Sequence, residues 1–136
     1  MATPSQPGPT AGVHLLVEYR ECAPGALDDA GELERVLYQA AAAIGAKVVT
    51  AAFHRFAPHG VTGFVLLEES HLSIHTWPER AYAAVDLFSC GVAEPGLAVE
   101  VVRSALGARR VCQLRVARGD LSAEVALRVV PGDVTF

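Results

Sequence analysis

Residues 68–79 hold the stretch that predicts the fold, and they read Glu-Glu-Ser-His-Leu-Ser-Ile-His-Thr-Trp-Pro-Glu. The polar and large residues of this stretch alternate with Leu72, Ile74 and Thr76, a period of two that is typical of a strand with one buried face. Pro78 cannot donate a hydrogen bond to a neighbouring strand, so the predicted strand ends there. Two imidazoles, an indole and three carboxylates accompany the serine hydroxyls. The stretch therefore predicts a half-buried strand that carries chemistry.

The sequence on either side predicts further strands and two helices. Strands are expected at residues 13–19, 47–56, 61–68, 82–90 and 111–116, whereas the tail from 118 to 136 has no clear pattern. Asp28 and Asp29 supply an N-cap and a negative first turn for the first helix. The residues predicted on its buried face are Leu33, Val36, Leu37, Ala40, Ala41 and Ile44, and Gly45 is the predicted stop. The second helix follows residues 91–96 and is predicted to bury Leu97, Val101, Ala105 and Leu106.

This order of elements indicates the fold class. A strand, a helix, several hairpin-linked strands, a second helix and a final strand predict an α+β fold, a two-layer α/β sandwich in which two helices cover one face of a mainly antiparallel sheet. We expect a flexible tail at residues 1–12 and a single domain at 13–136. The other face of the sheet also needs a cover, and a second copy of the chain would provide one.

Composition excludes several classes of function. The chain has 136 residues, of which 51% are hydrophobic and 19% charged, and a formal charge of −4, which argues against a nucleic-acid partner. No apolar run approaches the roughly 20 residues of a membrane span, and no secretory signal is predicted at the N-terminus. The three cysteines, Cys22, Cys90 and Cys112, are odd in number and lack metal-site spacing. They predict free thiols in a reducing, cytoplasmic protein.

Several chemistries compete for the central stretch. A serine hydrolase is disfavoured because no G-x-S-x-G motif is present and because Ser70 and His75 point to opposite faces of a regular strand. A metal site built on His71 and His75 is disfavoured because residues four apart on a strand lie roughly 13 Å apart. Each histidine would need another partner, such as His54, His59 or Cys90, and no metal is predicted. The residues alone leave open whether both histidines are partly buried and satisfied by backbone carbonyls.

Residues 69–79 closely resemble the self-processing segment of the prokaryotic S-adenosylmethionine decarboxylases, the pyruvoyl-dependent enzymes of spermidine synthesis. The resemblance extends over roughly residues 12–116. The other matching stretches, at compatible spacing, are His14-Leu15, Glu21-Cys22, Phe53-His54-Arg55-Phe56, Pro58, Gly60-Val61, Asp86-Leu87-Phe88 and Cys90-Gly91.

The resemblance implies that the chain cuts itself between Glu69 and Ser70. The Ser70 hydroxyl attacks the preceding carbonyl to form an ester, and elimination then leaves a pyruvoyl group at the start of the second fragment. Residues 1–69 become the family's β chain and residues 70–136 its α chain. The pyruvoyl carbonyl forms a Schiff base with the amine of a small amino-acid substrate and accepts the electrons of decarboxylation. By motif position, His75 donates or accepts a proton in processing, and Cys90 reprotonates the substrate carbon.

Three further residues receive roles from the resemblance. Thr62 stands where the family usually has a serine that assists processing, so we expect processing to survive and to be slower. Phe56 is expected to stack on the adenine or to face the sulfonium, with a core phenylalanine as the alternative. Glu79 is expected to accept hydrogen bonds from the ribose hydroxyls.

Two alternatives stay open at the level of sequence. The same pyruvoyl core could decarboxylate L-ornithine or L-arginine, since Glu79 would serve an ammonium or a guanidinium as well as a ribose. A non-enzymatic binding or regulatory homologue is the other, although such a protein has no need of Ser70, His75 and Cys90 together. The family also implies a homodimer of cut protomers with two active sites across the interface.

Overall fold

Seven strands and two α-helices follow one another in the computed structural model, which describes residues 12–92 and 94–119 and the backbone of residues 127–129. In chain order they are β1 (Gly12–Arg20), α1 (Ala30–Ala43), β2 (Val48–Arg55), β3 (Val61–Leu67), β4 (Ser70–Trp77), β5 (Tyr82–Ser89), α2 (Gly96–Leu106), β6 (Arg110–Arg118) and β7 (Leu127–Val129). A single 3₁₀ turn, Pro78–Arg80, ends β4 as the proline predicted.

The strands form one antiparallel sheet in the order β2-β3-β4-β5-β1-β6-β7. β4 lies in its interior between β3 and β5. Leu72, Ile74 and Thr76 are buried, as their alternation predicted. Both helices pack on this buried face, and the Tyr19 hydroxyl of β1 donates to the Val99 carbonyl of α2 at 2.8 Å. The α+β sandwich predicted from the sequence is confirmed.

Two adjacent aspartates before α1 have different hydrogen-bond partners, one in the helix and one in the β2–β3 hairpin. Asp29 is the N-cap, and its side chain accepts the Glu32 N–H at 3.0 Å. Asp28 turns away from the helix and accepts the Gly60 N–H and an Arg55 N–H, each at 2.8 Å. These hydrogen bonds hold the pKa of Asp28 below its usual value. Asp28 therefore fixes the β2–β3 hairpin rather than the helix.

The predicted buried face of α2 is wrong by one residue. Ala98, Val102 and Leu106 are the residues that α2 buries, whereas the side chain of Leu97 is 48% exposed. Two apolar rows run along this helix, and each keeps the four-residue spacing of a buried face. Leu106 alone of the predicted set lies in the core. Gly12, predicted as the end of the tail, is the first residue of β1, and residues 1–11 of that tail lie outside the described part of the chain.

The helices of the described residues include none that is both long and apolar enough to span a membrane.

Candidate functional site

The β3–β4 hairpin presents the predicted cut at the junction of a turn and a strand. Leu67 pairs with Ser70, so Glu68 and Glu69 form a two-residue turn between them. Glu69 has a φ of 64°, in the left-handed region, a conformation that costs a residue with a side chain about 1 kcal/mol. Ser70 follows at once as the first, half-buried residue of β4. The peptide bond ahead of this hydroxyl is therefore held in a tight turn.

A first pocket contains Ser70 and Cys90. The two residues lie at neighbouring strand ends, because β4 begins where the antiparallel β5 ends. The pocket has a volume of about 310 Å³, and its other walls come from the α1–β2 connection, including Lys47, and from Glu68 and Gly91. The thiol of Cys90 is free and partly exposed. The structure thus places two of the three predicted catalytic residues at one site.

A second pocket contains the other predicted residues. It has a volume of about 290 Å³ and is lined by Phe56, His59, Gly60, Thr62, His75, Thr76, Trp77 and Glu79. Thr62 of β3 and His75 of β4 are cross-strand partners. Their side chains share a hydrogen bond of 2.9 Å between Oγ1 and Nδ1. The predicted processing hydroxyl and the predicted processing imidazole therefore touch.

The candidate substrate contacts lie around the same imidazole. Phe56 is 46% exposed and makes an edge-to-face contact with His54, so it is not a core residue. Glu79 Oε2 lies 2.8 Å from His59 Nε2. Trp77 stacks on Tyr82, with 5.2 Å between the ring centroids. An aromatic face and a carboxylate thus flank His75, and both are open to solvent.

The two pockets do not meet within one chain. Ser70 and His75 are five residues apart on β4, which corresponds to about 17 Å along a strand. Ser70 shares the side of β4 with the buried Leu72 and Ile74, whereas His75 lies on the opposite, open side. The imidazole of a chain is therefore out of reach of the hydroxyl of the same chain.

A polar network that the sequence did not predict occupies the middle of the open face. His14 of β1 and His71 of β4 both pair with Phe88 of β5. Their Nε2 atoms each lie 2.7 Å from the same oxygen of Asp86, and Ser73 donates to the other oxygen. Burial disfavours the charge on Asp86, but these hydrogen bonds outweigh it and hold its pKa below the usual value.

The residues alone left open whether backbone carbonyls satisfy the two histidines; in the structure His71 contacts a carboxylate and His75 contacts a hydroxyl. Only the strand register could have revealed the polar network, because its members lie on three different strands.

His14, His71 and Asp86 are also the one group of metal-ligand type among the described residues. The Nη1 of Arg118 lies 3.2 Å from His14 Nδ1. A guanidinium only donates hydrogen bonds, so Nδ1 is the acceptor and Nε2 carries the hydrogen. In this arrangement Nε2 donates to Asp86. The cluster is a hydrogen-bonded network.

Comparisons with known proteins identify a family. The family model described as S-adenosylmethionine decarboxylase matches residues 13–119. The S-adenosylmethionine decarboxylase proenzyme of Thermotoga petrophila is 49% identical over 109 residues, covering 79% of this chain and 84% of that protein. The proenzyme of Symbiobacterium thermophilum is 44% identical over 116 residues, covering 85% and 88%.

Solved structures are similar as well. The crystal structure of the adenosylmethionine decarboxylase from Aquifex aeolicus has a TM-score of 0.77 and 30% identity, and the match covers 85% of this chain and 97% of that one. The monomer structure of the Trypanosoma brucei enzyme has a TM-score of 0.59 at 10% identity, covering 76% of this chain and 45% of that one. The second likeness shows the fold alone.

Proposed function

Since the chain belongs to the S-adenosylmethionine decarboxylase family, we propose that it cuts itself between Glu69 and Ser70 and then decarboxylates S-adenosylmethionine. The product would be the aminopropyl donor for spermidine synthesis. Relatives that are 44–49% identical to it carry the name S-adenosylmethionine decarboxylase proenzyme. They favour this substrate over L-ornithine or L-arginine and favour an enzyme over a binding homologue.

The observation that carries the proposal is the placement of Ser70. Its hydroxyl follows a left-handed Glu69 in a tight turn and lines a pocket with the free thiol of Cys90. These residues fit a pyruvoyl group formed from Ser70, because the site is concave, half-buried and next to a proton donor. When formed, the group supplies an electron sink for the carbanion that decarboxylation leaves. Cys90 holds the proton that this carbon takes up.

The distance between the pockets supports a dimer whose sites are shared. His75 cannot reach Ser70 of its own chain, and we infer that a second copy brings its own His75 to that hydroxyl around the end of β4, where Ser70 stands as the first, half-buried residue. The open sheet face that would meet this copy carries exposed Leu16, Phe64, Leu66 and Trp77. Apolar side chains grouped on one face are typical of a protein interface. We assign to His75, assisted by Thr62, the proton transfer at the elimination step of the partner's Ser70.

Substrate recognition falls to the second pocket. The exposed ring of Phe56 can pack on the adenine or face the sulfonium, which attracts an aromatic face. The carboxylate of Glu79 can accept two hydrogen bonds from the ribose hydroxyls, in exchange for its contact with His59. Both residues lie beside the His75 that reaches across the interface. Substrate and pyruvoyl precursor would therefore meet between the two chains.

The test is the intact mass of the purified chain under denaturing conditions, followed by an assay of carbon dioxide release. We expect fragments of 69 and 67 residues, from residues 1–69 and 70–136, with the second lighter than a serine-started fragment by one ammonia. S-adenosylmethionine should release carbon dioxide, whereas L-ornithine and L-arginine should not. Ser70→Ala is the control and should stay whole and inactive. A single uncut wild-type chain would contradict the proposal.

A further inference from the structure

Ser89 carries a buried hydroxyl that the proposed chemistry has not used. It is the last residue of β5 and only 4% exposed. Its Oγ has no hydrogen-bond partner within the described residues. A buried hydroxyl without a partner lowers the stability of a fold, so its presence calls for an explanation such as a role in catalysis.

The strand register places this hydroxyl next to the predicted cut. His71 pairs with Phe88, so Ser70 and Ser89 are the next residues along β4 and β5. Both share the helix-facing side of the sheet with their buried neighbours Leu72 and Leu87. Residues opposite one another on antiparallel strands have Cβ atoms about 5 Å apart. Ser89 is also the chain neighbour of Cys90, which lines the pocket of Ser70.

The turn also directs the scissile carbonyl towards β5. Leu67 and Ser70 close a two-residue hairpin, and such a closing pair exchanges backbone hydrogen bonds. The Ser70 N–H therefore points towards β3. In a trans peptide the carbonyl points away from the N–H, so the Glu69 carbonyl points to the opposite side, where β5 ends at Ser89.

We propose that the Ser89 hydroxyl is the hydrogen-bond donor to the Glu69 carbonyl oxygen during self-cleavage, a role that rests on the proposed function. As Ser70 Oγ adds to the Glu69 carbonyl carbon, that oxygen takes the negative charge and accepts the Ser89 O–H. The proton of the Ser70 hydroxyl passes to the Ser70 nitrogen, the C–N bond breaks, and the ester forms. Ser89 transfers no proton. Removing one such donor typically slows a reaction about 10²- to 10³-fold.

The test is the rate of self-cleavage of full-length Ser89→Ala, followed on a denaturing gel, together with its melting temperature. We expect cleavage at least tenfold slower and a melting temperature that is unchanged or higher, because the variant removes an unsatisfied buried group. A purely structural role would lower both the rate and the melting temperature. Ser89→Thr keeps the hydroxyl and should restore cleavage. Ser104→Ala, on the exposed side of α2, is the matched control and should cleave as the wild type does.

A second measurement assigns the step. In a His75→Ala background the ester should accumulate and be cut by added hydroxylamine, and adding Ser89→Ala should reduce the portion cut. Wild-type cleavage rates in Ser89→Ala would overturn the role of Ser89 and leave the proposed function standing. The role of Ser89 would also be overturned if Ser89→Ala cut slowly and had a lowered melting temperature, and if Ser89→Thr did not restore cleavage. A wild-type chain that never cuts would overturn both.

Discussion

A shared active site predicts that two inactive variants restore each other. Ser70→Ala lacks the hydroxyl that attacks the Glu69 carbonyl, and His75→Ala lacks the imidazole assigned to the elimination step. Each should stay uncut when made alone. In a mixed dimer, the intact Ser70 of the second variant meets the intact His75 of the first. One complete site then forms across the interface, although neither chain is complete.

The size of the effect follows from the distance along β4 and from random pairing. Because about 17 Å separates Ser70 from His75 on one strand, no site is complete within a chain. With equal amounts of both variants, about half of the dimers are mixed, and each has one complete site of two. About half of the His75→Ala chains should therefore be cut, no Ser70→Ala chain should be cut, and decarboxylase activity should reach about a quarter of the wild-type value.

The assay is co-expression of the two variants with tags of different size, a denaturing gel and release of carbon dioxide. The matched control mixes wild type with a chain that carries both substitutions. Sites completed across the interface predict about a quarter of the wild-type activity in both mixtures. Sites completed within a chain predict none in the first mixture and about half in the second. That second pattern would refute the shared site.

Three further predictions concern stability, and each is measured by chemical denaturation of the uncut Ser70→Ala chain. Gly63→Ala should lower the free energy of unfolding by about 1–3 kcal/mol, because the added Cβ would overlap the ring of its cross-strand partner Phe53. Gly96→Ala is the control and should not lower it, because its Cβ meets no atom within 4 Å. Leu106→Ala should lower the free energy of unfolding by about 2–5 kcal/mol, whereas Leu97→Ala should lower it by less than about 1 kcal/mol. Equal losses would contradict the buried face of α2 described above. Asp86→Asn should make the free energy of unfolding fall less steeply as the pH is lowered. The reason is that a carboxylate with a lowered pKa stabilises the fold above its unfolded pKa of about 3.9 and loses that contribution as the pH falls through the folded pKa. An unchanged pH profile would show that the histidine contacts do not hold the charge of Asp86.

The sequence predicted those parts of the fold that one periodic signal decides. The alternation of Leu72, Ile74 and Thr76 identified β4 and its buried face, and the acidic pair before α1 identified the start of that helix. The prediction of the buried face of α2 was wrong because Leu97 and Ala98 each begin an apolar row. Only packing against the sheet determines which of the two rows is buried.

The sequence likewise predicted only part of the candidate site. Ser70, His75 and Cys90 came from the resemblance to one family, which names residues and gives no distances. Strand geometry did predict that Ser70 and His75 face opposite ways. The network around Asp86 depends on the pairing of β1 with β5, which joins residues 72 positions apart. The unsatisfied hydroxyl of Ser89 needed the packed structure, because a serine at a strand end is ordinary in sequence.

The strand order determines whether two fragments of this chain would stay associated after a cut. A break after Glu69 assigns β1, β2, β3 and α1 to the first piece and the remaining elements to the second. β1 is nevertheless inserted between β5 and β6, and β3 borders β4, so the pieces are interleaved at three strand borders. Neither piece of a chain cut there could leave without dismantling the sheet, so the two pieces would stay together with no covalent link between them. Topology thus sets the order of events, since a chain nicked before it folded would have to build one sheet from two separate molecules.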